Sequence, residues 1–367
     1  MIFRSLSRWL RGEDAGISVP PMDGVLKPNN RLEQATRVLT LPSIDNLVAA
    51  GSTAYCSGGN NLYSLRAEAG SLRADLAGSF PGAITFLAAD SAGRLAVGVA
   101  DEGIRFASPE GSWNQVALAP DLARCAVAAD FTPDGSLLVC IGSREVAAAD
   151  WKRDLMQHGR SGTILSVDQA GDIVTLVEGL AFPYGIAALG DGRFVYSESW
   201  RHCLVRRAIG SPHDISDLLS DLPAYPARLA RSAEGGFWLT AFAPRRQLFD
   251  IVLREDDYRR EMMATIDPSE WVGPDLSGES RPDQPLQAGS VRQMGVIKPW
   301  APSHSYGLVI KCDAEGRPLE SWHSRADGTM HGITSVIEFQ GIVLATSRGS
   351  GTLLNLGTSG APVESRP

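Results

Sequence analysis

The stretch Leu180 to Arg207 reads LAFPYGIAALGDGRFVYSESWRHCLVRR. A short apolar run, Ile186 to Leu189, is followed by the turn Gly190-Asp191-Gly192 and a second run, Phe194 to Ser197. The polar cluster Glu198-Ser199-Trp200-Arg201-His202 then leads into a third run, Cys203 to Val205. Short β-rich runs divided by Gly/Asp turns predict an antiparallel meander. The middle of this pattern recurs around Gly93, Gly135, Gly235 and Gly341, with a weaker copy around Gly51. Six copies, most of them roughly 40 to 57 residues apart, have the spacing of four-stranded propeller blades. The last interval is about twice as long, so it holds an insertion. An all-β, six-bladed β-propeller with antiparallel blades is the predicted fold.

Working outward, Thr36 to Leu41 precedes the first copy and Thr352 to Leu356 follows the last. One strand from each terminus in the same blade closes such a ring, so Thr36 to Leu41 is expected to complete the blade holding Gly341. The predicted organisation is an N-terminal helix and extended strap over 1–35, a single propeller over 36–356 and a fraying tail over 357–367. Within 1–13, Phe3, Leu6 and Leu10 fall at helical spacing among Arg4, Arg8 and Arg11. That segment is too short to span a bilayer, and it packs on the propeller or makes weak contact with a membrane surface. Two insertions interrupt the repeat, Ala147 to Gly162 in blade three and Pro244 to Ser305 in blade five. The second, with a helical-looking Ile266 to Val272, a Pro/Gly/Ser-rich middle and large aromatics, reads as a lid over the channel mouth.

The 367 residues carry a formal charge of −8 with no Lys/Arg-rich block, which argues against a nucleic-acid partner. Five scattered cysteines without a CxxC pair fit a reduced, cytoplasmic protein, with one disulfide still open. No HExxH, nucleophile elbow, Walker loop or GxGxxG occurs.

Propeller geometry brings the starts of the inner strands and the ends of the second strands to one face of the channel. The predicted inner starts are Asp45-Asn46, Ala83-Ile84, Cys125, Tyr184, Ala227-Arg228 and Ile333-Thr334. Both insertions leave from that face. Asp45 is a channel carboxylate or an Asx-type turn residue. Glu198 is a base or the partner of Arg201, and His331 is a general base or a structural histidine. Glu338 is placed at a solvated turn.

Phe182-Pro183-Tyr184-Gly185, Asp191-Gly192 and Glu198-Ser199-Trp200-Arg201-His202 resemble the FPNG…DG…E-T-W-R signature of strictosidine-synthase-like proteins. That group is part of a wider superfamily with senescence-marker protein, gluconolactonases and paraoxonases. Leu222 to Pro226 with Gly235 to Trp238 resembles its LPGYPDN…GGFW segment, and Tyr306 to Gly316 with His331 to Leu344 its closing one. The resemblance implies an enzyme with a divalent cation, usually Ca²⁺, held by oxygen ligands. Asp45 fits the first metal position, but the family's asparagines and aspartate are here Tyr184, Ala227-Arg228 and Cys125. Either no cofactor or a degraded cation site follows. Thr334 stands where strictosidine synthases carry their glutamate.

The leading expectation is a small-molecule hydrolase of lactonase or esterase type at the channel mouth. Asp45 with Glu198 or His331 would activate water. Asn46, Tyr184, Arg228, Thr334, Trp271 and Trp300 would bind the substrate. The alternative is a non-catalytic propeller that binds an anionic or aromatic metabolite or a protein partner. A metal-independent lyase or Pictet–Spengler-type condensing enzyme is the third reading.

Overall fold

The computed structural model describes residues 19–68, 71–108, 111–277 and 304–358, with short pieces at 292–293 and 296–297. Six four-stranded antiparallel sheets form the blades. Their inner strands are Ile44–Ala50, Ile84–Ala89, Ala126–Phe131, Pro183–Ala188, Ala224–Arg231 and Ile333–Phe339, for blades one to six. The strand Thr36–Thr40 pairs with Thr352–Thr358 and completes blade six, so chain ends from both termini share one sheet. The turn glycines Gly51, Gly93, Gly135, Gly192, Gly235 and Gly341 all have φ between 61° and 90°. A Cβ is strained in that region, which is why the repeat is written in glycine.

Each gap between neighbouring blades is filled by its own apolar cluster. Leu62 of blade one meets Val97 of blade two, Phe86 meets Leu137 of blade three, and Leu47 meets Ile337 across the closure. Trp238, fully buried between blades five and six, donates from its indole to Glu338 Oε1 at 2.6 Å. Glu338 also accepts from Ser232 Oγ and the Ala233 amide. The sequence placed Glu338 at a solvated turn; instead it braces two blades.

The blade-three insertion holds one short helix, Trp151–Met156. In blade five the helices are Gln247–Arg254 and Asp256–Thr265, burying Phe249, Val252 and Met262. The helix expected over Ile266 to Val272 is a single 3₁₀ turn, Pro268–Glu270, capped by Asp267 accepting from the Ser269 amide at 2.9 Å. Pro268 supplies no N–H and stops the preceding helix pattern there. The two insertions meet: Lys152 pairs with Asp275 at 3.3 Å and Arg153 lies over the Trp271 ring at 5.2 Å. From there the chain crosses toward blade six, where a Cβ on Gly332 or Gly349 would meet the Leu276 carbonyl at 2.3 or 2.4 Å. The strap is held by blade five, with Ser321 Oγ donating to the Val25 carbonyl and Asn29 Nδ2 donating to that of Ser321. The expected helix over 1–13, Trp300 and most of the Pro/Gly/Ser-rich middle lie outside the described residues. Among those described, no helix is long and apolar enough to cross a membrane.

Candidate functional site

Every inner strand carries a register shift near its channel end. The shifts skip Asn46, Thr85, Val127, Tyr184, Ala227-Arg228 and Thr334 in turn. A bulge takes a residue out of the ladder and re-aims its side chain and carbonyl. Second-strand hydroxyls compensate: Ser57 donates to the Asp45 carbonyl at 3.0 Å, Ser197 to that of Ala227 at 2.9 Å and Thr240 to that of Arg228 at 3.0 Å. The bulges also correct the map in blade three. In blade two Ala83, Ile84 and Thr85 all line the mouth, whereas in blade three Val127 lines it and the predicted Cys125 is fully buried.

Arg228 reaches across the ring. Its guanidinium donates to Asp45 Oδ1 at 2.8 Å and to the carbonyls of Thr85 at 3.0 Å, Val127 at 3.1 Å and Thr334 at 3.4 Å. The Tyr184 ring lies 5.0 Å from its centre. One residue of blade five thus touches the other five blades, each at its bulge or one position before it.

Asp45 is tied down from several sides. Oδ1 also accepts from Thr334 Oγ1 at 2.7 Å and from the Asn46 amide at 2.8 Å, while Oδ2 lies 3.4 Å from Arg348 Nη1. Burial pushes its carboxyl up, but Arg228, Arg348 and these hydrogen bonds outweigh burial and hold it below the usual carboxylate range. Asp45 is therefore an anion and a weak base. Burial raises the Tyr184 phenol, which keeps its proton and remains a donor. Asn46, with φ +48°, donates to Ser57 Oγ at 2.9 Å and stays behind the channel wall.

Beside this hub opens a cavity of about 230 Å³. Asp45, Tyr184, Arg228 and Arg348 line its polar end. Trp151, Phe182, Trp200 and Phe242 form its aromatic wall, and Asp101 and Arg124 also line it. Phe182 stacks on Trp200 with centroids 4.6 Å apart, and the Trp200 indole donates to Asp154 Oδ1 at 2.7 Å. Among the described residues, Arg348, with its side chain 40% exposed, has the long contact to Asp45 and a hydrogen bond to Tyr184 to occupy its fork.

The other expected residues are not brought here. Glu198 is buried, accepting from the Ala181 amide at 2.9 Å and from Arg201 at 2.5 Å. His331 is buried with both ring nitrogens engaged, by Ser305 Oγ and by the Arg325 carbonyl, each at 2.7 Å. Burial lowers its basicity further. Trp271 is buried and donates to the Ile266 carbonyl at 2.9 Å. The sequence puts Arg348 at the channel face, as the end of a second strand, without a role, and assigns no site position to Trp151, Phe182 or Phe242.

The hub does not fit a divalent cation. Hard cations need six or more oxygen ligands, and the one carboxylate and the inward carbonyls already accept from a guanidinium that would repel the ion. Among the described residues no group of three or more His, Cys, Asp or Glu could hold a metal. EDTA is accordingly expected to leave the melting temperature within about 2 °C, whereas a tightly held ion contributes several kcal/mol through linkage. A larger fall, reversed by Ca²⁺, would show that the misfit was misjudged.

No protein-family model matches the sequence, and no curated protein sequence is similar to it. Solved structures do match. A calcium-binding protein, regucalcin, from Agrobacterium tumefaciens is 14% identical with a TM-score of 0.56, covering 88% of this chain and 94% of that one. A gluconolactonase from Xanthomonas campestris is 14% identical with a TM-score of 0.53, covering 90% and 89%. A luciferin-regenerating enzyme is 12% identical with a TM-score of 0.51, covering 87% and 86%. Together with the six closed blades, these likenesses show that the chain has the six-bladed propeller fold of regucalcin- and gluconolactonase-type proteins.

Proposed function

We propose that the mouth binds a small organic anion with a flat apolar body. The carrying observation is the pairing of an under-used guanidinium, Arg348, with a wall of Trp151, Phe182, Trp200 and Phe242 in one cavity. Arg348 and the Tyr184 phenol meet the carboxylate, and the aromatic wall takes the apolar part. Among the charged residues that line the cavity, Arg124, Arg228 and Arg348 outnumber Asp45 and Asp101, so the mouth is net positive. Burial of all five free cysteines supports a reducing, cytoplasmic setting for this role.

The test is quenching of intrinsic tryptophan fluorescence by benzoate, phenylacetate and indole-3-acetate against their neutral amides. Arg348→Gln is expected to weaken carboxylate binding about tenfold or more and to leave the amides unchanged. Equal binding of acids and amides by the unaltered protein would sink the reading.

A second reading, hydrolysis of a lactone or ester, is supported by Asp45 lining the same cavity beside the Tyr184 phenol. Asp45 would orient the water and Tyr184 the developing oxyanion. A panel of aromatic and sugar lactones separates the two: turnover abolished by Asp45→Asn in a folded variant favours the hydrolase, and saturable binding without turnover favours the binder.

A further inference from the structure

The misfit between the hub and a divalent ion points further. The acceptors around Arg228 are one carboxylate and three carbonyls, drawn from blades one, two, three and six. All are oxygens, and all present the negative end of a charge or dipole to the same point. Bulges aim the carbonyls there, and a bulge is a committed backbone feature rather than a response to one side chain. The Tyr184 ring adds a π-face at 5.0 Å. Without the Arg228 charge at the centre, the cage would leave the buried Asp45 carboxylate only its long contact to Arg348, among opposed carbonyl lone pairs, which is costly.

We propose that this cage is a cation site whose occupant is covalently attached. Arg228 serves as the propeller's internal cation, and removal of its side chain opens a site for a free, oxygen-seeking cation. A guanidinium-type ion fits by shape. A hard divalent ion fits by donor chemistry, since the cage offers no nitrogen or sulfur ligand and water would complete the coordination. Ion pairing across the ring is thereby made independent of supplied metal.

The experiment compares the whole protein with Arg228→Gly and Arg228→Met, reading the unfolding midpoint in sodium chloride alone and with low-millimolar methylguanidinium, CaCl₂ or MgCl₂. Both variants are expected to melt below the unaltered protein. Arg228→Gly should regain about 3 °C or more with methylguanidinium or with Ca²⁺, the Ca²⁺ effect being reversed by EDTA. Neither the unaltered protein nor Arg228→Met, whose apolar chain fills the space, should respond. If Arg228→Gly is not recovered folded, refolding it in each salt gives the answer: recovery only with a cation that fits supports the proposal, and failure in every salt overturns it. A folded Arg228→Gly unmoved by every cation, or an Arg228→Met as stable as the unaltered protein, also overturns it.

Discussion

Asp45→Ala is expected to destabilise the fold by about 3–5 kcal/mol, the range seen when one partner of a buried ion pair is removed. Asp45 and Arg228 have side chains only 11% exposed, so solvent does little to replace the lost partner. Two guanidiniums, Arg228 and Arg348, would then share the hub with no counter-charge, and Thr334 Oγ1 would lose its acceptor. Asp45→Asn keeps an acceptor for Thr334 and should cost less. The pH dependence has a defined sign. The folded carboxyl lies below its ordinary value of 3.8, so its contribution is complete above that value and is lost as pH falls through the lower folded one. The stability gap between the unaltered protein and Asp45→Asn should stay level down to about pH 4 and close below it. Urea titrations across that range test both points, and an Asp45→Ala protein as stable as its parent would remove the hub as a structural centre.

The blade count was legible because each turn demands a positive φ, and glycine marks that demand in the sequence. Closure by Thr36–Thr40 and the exits of both insertions followed from the same frame. Tyr184 and Arg228 stood out because they interrupt a motif of oxygen ligands, and Arg228 pairs with Asp45. The bulges were not legible. They fall on residues as unlike as Asn46, Thr85 and Val127, so no residue type signals them, and a two-residue error sent the blade-three prediction to Cys125. The aromatic wall was missed for another reason. A long insertion must first bury itself, so Trp271 goes into the core against Leu155 and Met156. The wall comes instead from Trp200, in the short turn after Glu198, and from Trp151 at the start of a six-residue helix. Neither turn nor helix start fixes where a ring will point until the neighbouring blade is in place.

Gly185→Ala is expected to cost about 3 kcal/mol or more, far beyond what a glycine in a strand ordinarily commands. Its backbone does not need glycine, since its φ is not positive. Its surroundings do: a Cβ would stand 2.3 Å from the Ala227 carbonyl, 2.8 Å from Arg228 Cα and 2.9 Å from the Leu229 amide. These are main-chain atoms of the next blade's inner strand, so no side-chain rotation relieves the clash. Blade five would have to retreat at its own bulge, the feature that aims Arg228 across the ring. The loss should therefore exceed simple overpacking and include part of the hub. Two glycines of the adjacent turn serve as controls. Gly192→Ala meets nothing within 4 Å but sits at φ +76°, and should cost about 1 kcal/mol of backbone strain. Gly190→Ala meets nothing and has ordinary φ, so it should be close to neutral. Unfolding midpoints in the order Gly185→Ala lowest, Gly192→Ala next and Gly190→Ala near the parent would establish that the glycine of Phe182-Pro183-Tyr184-Gly185 is kept for contact between blades. A Gly185→Ala protein as stable as Gly190→Ala would refute that contact, and with it the rigid seating of Arg228 on the neighbouring bulge.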